Sequence, residues 1–159
     1  VWLDLLEAML VQNRDEIGEF AVLFFNVEQF GWSPGFVANR LQSALFRECV
    51  HLVREGVVTI DELDAIVRHS IGLRWAAGGP FESFHLGGGP KGLAGFIAHF
   101  GAGLQARWRD LGDPRFDEAT TALLVQQAAA GFDGLPREQL EARRDARQLA
   151  MLAALATVA

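Results

Sequence analysis

From Ser33 onward the chain is divided by helix start and stop signals, and only one stretch in its 159 residues has strand character. That stretch is Phe20-Ala21-Val22-Leu23-Phe24-Phe25, an apolar run bounded by Gly18 and Asn26. A lone strand leaves its backbone donors and acceptors unpaired, and nothing else in the sequence supplies a partner. The expected class is all-α, with five or six helices and one orphan extended segment near the N-terminus.

The punctuation places the helices. Trp2 to Asp15 reads as a helix ahead of the Phe20 run. Ser33-Pro34 reads as an N-cap with proline at the first helical position, opening a long helix from about Pro34 to Glu55 that Gly56 closes. Thr59-Ile60-Asp61-Glu62 has the form of a capping box and launches a helix ending near Ser70. A glycine-rich passage, Gly78 to Gly92, breaks the pattern, with room for a short helix over Phe81 to Leu86. Helical spacing resumes from about Leu93 to Leu111. Asp113-Pro114 is expected to cap a further helix to about Ala130, and Pro136 to open the last.

Composition narrows the function classes. Half of the chain is apolar, enough for a sizeable core and too much for a disordered segment. Fourteen basic residues against 20 acidic give a net charge of −6, so the clustered basic surface that nucleic acid requires is not expected. The single cysteine, Cys49, excludes an internal disulfide and suits a reducing compartment. No apolar run approaches the roughly 18 residues needed to span a bilayer. Asp4 and Glu7 stand where a secretory signal would be basic. The expectation is a cytoplasmic domain with no nucleic-acid or membrane partner.

Within the long helix, Val37, Leu41, Ala44, Leu45 and Leu52 share one broad face at about 100° per residue. Arg40, Arg47 and Arg54, seven apart, form a stripe that reads as a solvated or subunit-facing edge, or as an anion site. Glu48 falls inside the apolar arc. A carboxylate there needs a designated partner, an arginine or a helix N-terminus. Cys49 reads as a small core residue.

Gly87-Gly88-Gly89-Pro90-Lys91-Gly92 formally matches G-x-G-x-x-G. A dinucleotide site would also need a buried strand before it and a second strand after it, and neither is present. The run therefore reads as a flexible connection ahead of a helix. His51, His69, His85 and His99 show no metal-ligand spacing, and no nucleophile-base arrangement stands out. Of the four, His85 lies in the glycine-rich segment, where loops can line a site.

Pro34-Gly35-Phe36-Val37-Ala38-Asn39-Arg40-Leu41, Glu48, Glu55-Gly56-Val57-Val58-Thr59, Leu63-Asp64 and Gly78-Gly79-Pro80-Phe81-Glu82 together make a specific combination. In it the chain, from about Ser33 to its end, resembles the C-terminal domain of the 3-hydroxyacyl-CoA dehydrogenase family. Gly72-Leu73-Arg74-Trp75-Ala76, Phe84-His85-Leu86-Gly87-Gly88 and Leu140-Glu141-Ala142-Arg143-Arg144 resemble its lambda-crystallin (L-gulonate 3-dehydrogenase) and carnitine 3-dehydrogenase branch. The acyl-CoA branch usually carries an aspartate where His85 stands, which points away from an acyl-CoA substrate.

The resemblance implies a helical domain like the C-terminal domain of 6-phosphogluconate dehydrogenase, over residues 33–159, behind a lead of residues 1–32. The lead would be a remnant of, or linker from, a Rossmann domain that binds NAD and carries the catalytic serine, histidine and glutamate. The Phe20 run stands in for that domain's last strand, or Leu23-Phe24-Phe25-Asn26 echoes the family's His-Phe-Phe-Asn segment.

By the same resemblance Asn39 is the one catalytic residue of the helical domain, its amide holding the substrate oxygen or the catalytic imidazole. Arg74, Trp75 and Phe81 are the expected substrate-binding residues. Arg74 would suit a carboxylate, because a guanidinium binds one bidentately. The implied partners are a second copy of the chain, a Rossmann domain in cis or trans, and a small 3-hydroxy acid or 3-hydroxyacyl substrate of the kind met in fatty acid metabolism. The alternative is a non-catalytic helical dimerisation remnant.

Overall fold

The computed structural model describes residues 34–157. Every regular element among them is helical: α1 (Pro34–Arg54), α2 (Ile60–His69), α3 (Ile71–Ala77), α4 (Pro80–Gly87), a 3-10 turn (Gly89–Lys91), α5 (Gly92–Asp110), α6 (Glu118–Phe132) and α7 (Arg137–Ala156). The all-α class holds. The expected Trp2 to Asp15 helix, the Phe20 run and the Ser33 cap lie outside the described residues. Contacts divide the chain into two units, Val1–Phe46 and Arg47–Ala159, with the boundary inside α1.

Local chemistry explains most boundaries. At the end of α1, Gly56 (φ +69°) donates its N–H to Val53 O at 3.1 Å, and Val57 donates to Leu52 O at 3.0 Å. This pair of bonds satisfies the last carbonyls through a left-handed residue, a conformation glycine adopts without strain. At the start of α2 both arms of the capping box form. Glu62 N–H donates to Thr59 Oγ1 at 3.3 Å, and Thr59 N–H donates to Glu62 Oε2 at 2.8 Å. Ile60 N–H, another donor that a helix leaves open, reaches Gln127 Oε1 of α6 at 2.9 Å and so docks the two helices.

Ile71–Ala77 is a separate helix that the sequence reading did not distinguish. Ser70 makes the break, its hydroxyl donating to Ile66 O at 2.7 Å. Such a back-bond competes with continued helix.

Two expected boundaries move. Asp113-Pro114 does not cap α6. Asp117 does, its Oδ1 accepting from Thr120 N–H at 2.8 Å, and α6 begins at Glu118. Nor is the glycine run a flexible connection. It is folded through the 3-10 turn into the tight crossing of α4 and α5. A Cβ at Gly88 would fall within contact distance of the Gly92 carbonyl and 2.8 Å from Phe96 N, so the two backbones meet where only glycine fits. Phe84 of α4 stacks on Phe96 of α5 at 4.7 Å, and Phe96 packs on Phe100 at 5.0 Å.

Among the described residues Val50 and Val53, both under 4% exposed, form the apolar centre of the second unit. The helical face expected to be buried remains open over Val37, Leu41 and Leu45, and burial on α1 is concentrated in its last turns, at Val50 and Val53.

Candidate functional site

Asn39 stands in the second turn of α1, within the first unit, with its side chain exposed. The other expected site residues belong to the second unit, on two consecutive helices that pack on each other across Gly78-Gly79. Arg74 lies in the last turn of α3, exposed, with no hydrogen bond or ion pair from its guanidinium among the described residues. Trp75 beside it is 39% exposed, and Phe81 in the first turn of α4 is 75% exposed. Arg74 and Trp75 thus stand before the Gly78-Gly79 link and Phe81 after it.

That junction is held by backbone and small polar groups. Pro80 takes the first position of α4, where its missing N–H costs nothing. Ser83 Oγ–H donates back to Gly79 O at 3.0 Å, tying the first turn to the residue before it. The Glu82 carboxylate folds over the α-carbon of Gly78, 2.8 Å from where a Cβ would sit. One turn after Phe81, His85 accepts the Leu93 N–H at its Nδ1, 3.3 Å away.

Glu48 has the partner that the sequence required, and it is neither an arginine nor a helix N-terminus. Its Oε2 accepts from the backbone N–H of Gly112 at 2.9 Å. The sequence could not name it, because the two residues are far apart in the chain. Two members of the arginine stripe face acids on the same segment, Arg47 to Asp113 and Arg54 to Asp117, each at 3.9 Å. Both pairs are solvent-screened and weak. Burial, and then the charge of Asp64, pushes the Cys49 thiol up, which keeps it an unreactive neutral group.

The aromatic stack of Phe84, Phe96 and Phe100 escaped the sequence reading, although the four-residue spacing of the last two was a usable signal. The glycine turn offers no cradle to a dinucleotide: Gly92 is buried, Gly88 is closed by backbone, and no strand precedes them among the described residues. Among the described residues no group of three or more His, Cys, Asp or Glu gathers as a metal site would require. No described helix is long and apolar enough to cross a membrane.

Comparison with known proteins gives a consistent answer. Residues 35–127 match the family described as 3-hydroxyacyl-CoA dehydrogenase, C-terminal domain. The chain is 43% identical over 112 residues to an L-carnitine dehydrogenase of Streptomyces griseus, covering 70% of this chain and 33% of that protein. It is 41% identical over 122 residues to an L-carnitine dehydrogenase of Pseudomonas aeruginosa (77% and 38%), and 38% identical over 111 residues to one of Oceanobacillus iheyensis (70% and 36%). The chain therefore spans little more than a third of the relatives it matches. With its all-helical architecture and a match over more than half its length, the chain belongs to the 3-hydroxyacyl-CoA dehydrogenase family, as its C-terminal domain.

Proposed function

We propose that this chain is the substrate-cleft and dimerisation domain of an NAD-dependent 3-hydroxy-acid dehydrogenase whose substrate is L-carnitine. A Rossmann half in cis or in trans binds NAD and contributes the proton-abstracting histidine. The observation that carries this reading is the family match over residues 35–127, which takes in Asn39, Arg74, Trp75 and Phe81, with relatives that are L-carnitine dehydrogenases.

Carnitine offers three features to these side chains. Its hydroxyl, or the imidazole acting on it, is positioned by the Asn39 amide, which can both donate and accept. Its carboxylate suits the guanidinium of Arg74. Its trimethylammonium cannot donate a hydrogen bond and is instead attracted to aromatic faces, for which Trp75 and Phe81 are exposed. Localisation follows as cytoplasmic, where the cofactor pool is.

The test joins the chain, by fusion or mixing, to the N-terminal remainder of the Pseudomonas aeruginosa relative and follows NADH formation with L-carnitine. Turnover that requires both parts, and falls at least a hundredfold in Asn39→Ala, is the expected result. Assembly without turnover on any 3-hydroxy acid would defeat this reading in favour of the non-catalytic dimerisation remnant. A specific observation keeps that second reading in view: Trp108, Leu149 and Met151 are 45–64% exposed on α5 and α7, as an association surface would require. Sedimentation of the chain alone measures that association.

A further inference from the structure

We infer that His85 reads the carboxylate of the substrate, as a fixed N–H donor in the last turn of α4, beside the turn into α5; this rests on the dehydrogenase reading above. The imidazole is held at two points. Its Nδ1 accepts the Leu93 N–H at 3.3 Å, across the turn that joins α4 to α5. Its edge lies against the α-carbon of Gly92, where a Cβ would come within 2.8 Å of Nδ1 and 2.9 Å of Nε2. Gly92 has φ +56°, so position and backbone both exclude a side chain there.

A ring nitrogen that accepts a backbone N–H cannot carry the proton. The proton therefore sits on Nε2, and the ring presents one directed N–H donor. Among the described residues Nε2 has no partner, and His85 is exposed. Phe81 stands one turn earlier on the same helix face, 75% exposed. Arg74 lies on the helix packed next to α4. A carboxylate has two oxygens, so the guanidinium and the Nε2–H serve it together, one supplying charge and the other direction. The chemical class selected is a small 3-hydroxy acid with a free carboxylate, against an amide or thioester at the same position.

The test compares L-carnitine with its carboxamide in the assembled NAD-dependent enzyme, using wild type, His85→Asn and His85→Gln. Asparagine can still accept the Leu93 N–H but has nothing at the Nε2 position, whereas glutamine restores an N–H near it. The expected result is a loss of roughly tenfold or more in kcat/KM for L-carnitine in H85N, carried by KM. The carboxamide should change less than about threefold, and H85Q should recover most of the preference. An unchanged carboxylate-to-carboxamide ratio in H85N would overturn the assignment while leaving the dehydrogenase reading intact. If H85N does not fold, H85Q decides: retained preference supports the assignment and lost preference overturns it. A wild-type enzyme inactive on every 3-hydroxy acid is the separate failure of the underlying reading.

Discussion

Where the end of α1 meets the segment from Leu111 to Asp117, charged side chains find partners within the chain. Glu48 accepts from Gly112, Arg47 and Arg54 face Asp113 and Asp117, and Val50 and Val53 are buried. Where α3 turns into α4, the opposite holds. Arg74 has no partner among the described residues, Phe81 is three-quarters exposed, and the turn is held by backbone bonds and the Ser83 hydroxyl. Both regions lie in one unit. The difference separates residues that hold the fold from residues kept free for something outside it, and burial with satisfied hydrogen bonds is the criterion.

The comparison is open to direct attack. The largest effect is expected from Gly88→Ala, at the crossing of α4 and α5. The added methyl meets the Gly92 carbonyl and Phe96 N, which are backbone and cannot rotate away. A loss of about 3 kcal/mol in a urea titration is expected. A loss below about 1 kcal/mol would mean that the α4–α5 crossing is looser than described.

Next is Glu48→Ala, which leaves the part-buried Gly112 N–H without an acceptor and should cost about 1–2 kcal/mol. Glu48→Gln retains an accepting oxygen and should cost less than half of that. Equal losses would assign the effect to charge rather than to the hydrogen bond.

The helix caps give a smaller, pH-dependent effect. The Thr59 N–H holds the Glu62 carboxyl below its ordinary range, and the Thr120 N–H does the same for Asp117. A carboxyl with a depressed folded-state pKa adds stability that is fully present above its unfolded value. That stability is lost as pH falls through the folded one. Urea midpoints should therefore decline below about pH 4.5, and a Glu62→Gln, Asp117→Asn double variant should show a flatter acid limb.

The smallest change in stability belongs to Phe81→Ala, expected within about 0.5 kcal/mol because the ring is mostly solvated. The same variant should raise KM for L-carnitine about tenfold in the assembled enzyme. A large stability loss with unaltered KM would move Phe81 into the matched region and undo the contrast.

Much of this was legible beforehand. The capping box at Thr59, the glycine stop at Gly56 and the proline start at Pro136 are local signals, carried by a few adjacent residues and their backbone. The need of Glu48 for a partner was legible from helical phase, and the partner itself was not. The glycine run misled because permissive φ and close approach have the same one-letter signature, and only the neighbouring chain distinguishes them.

By itself, then, the sequence determined the helical class, most element boundaries and the family, since each rests on local hydrogen bonding or on motifs read in order. Tertiary structure alone decided which apolar faces are covered, which donor answers Glu48, and that His85 is fixed by Leu93 and Gly92. Those outcomes depend on contacts between distant or separately folded segments, whose geometry no local spacing encodes.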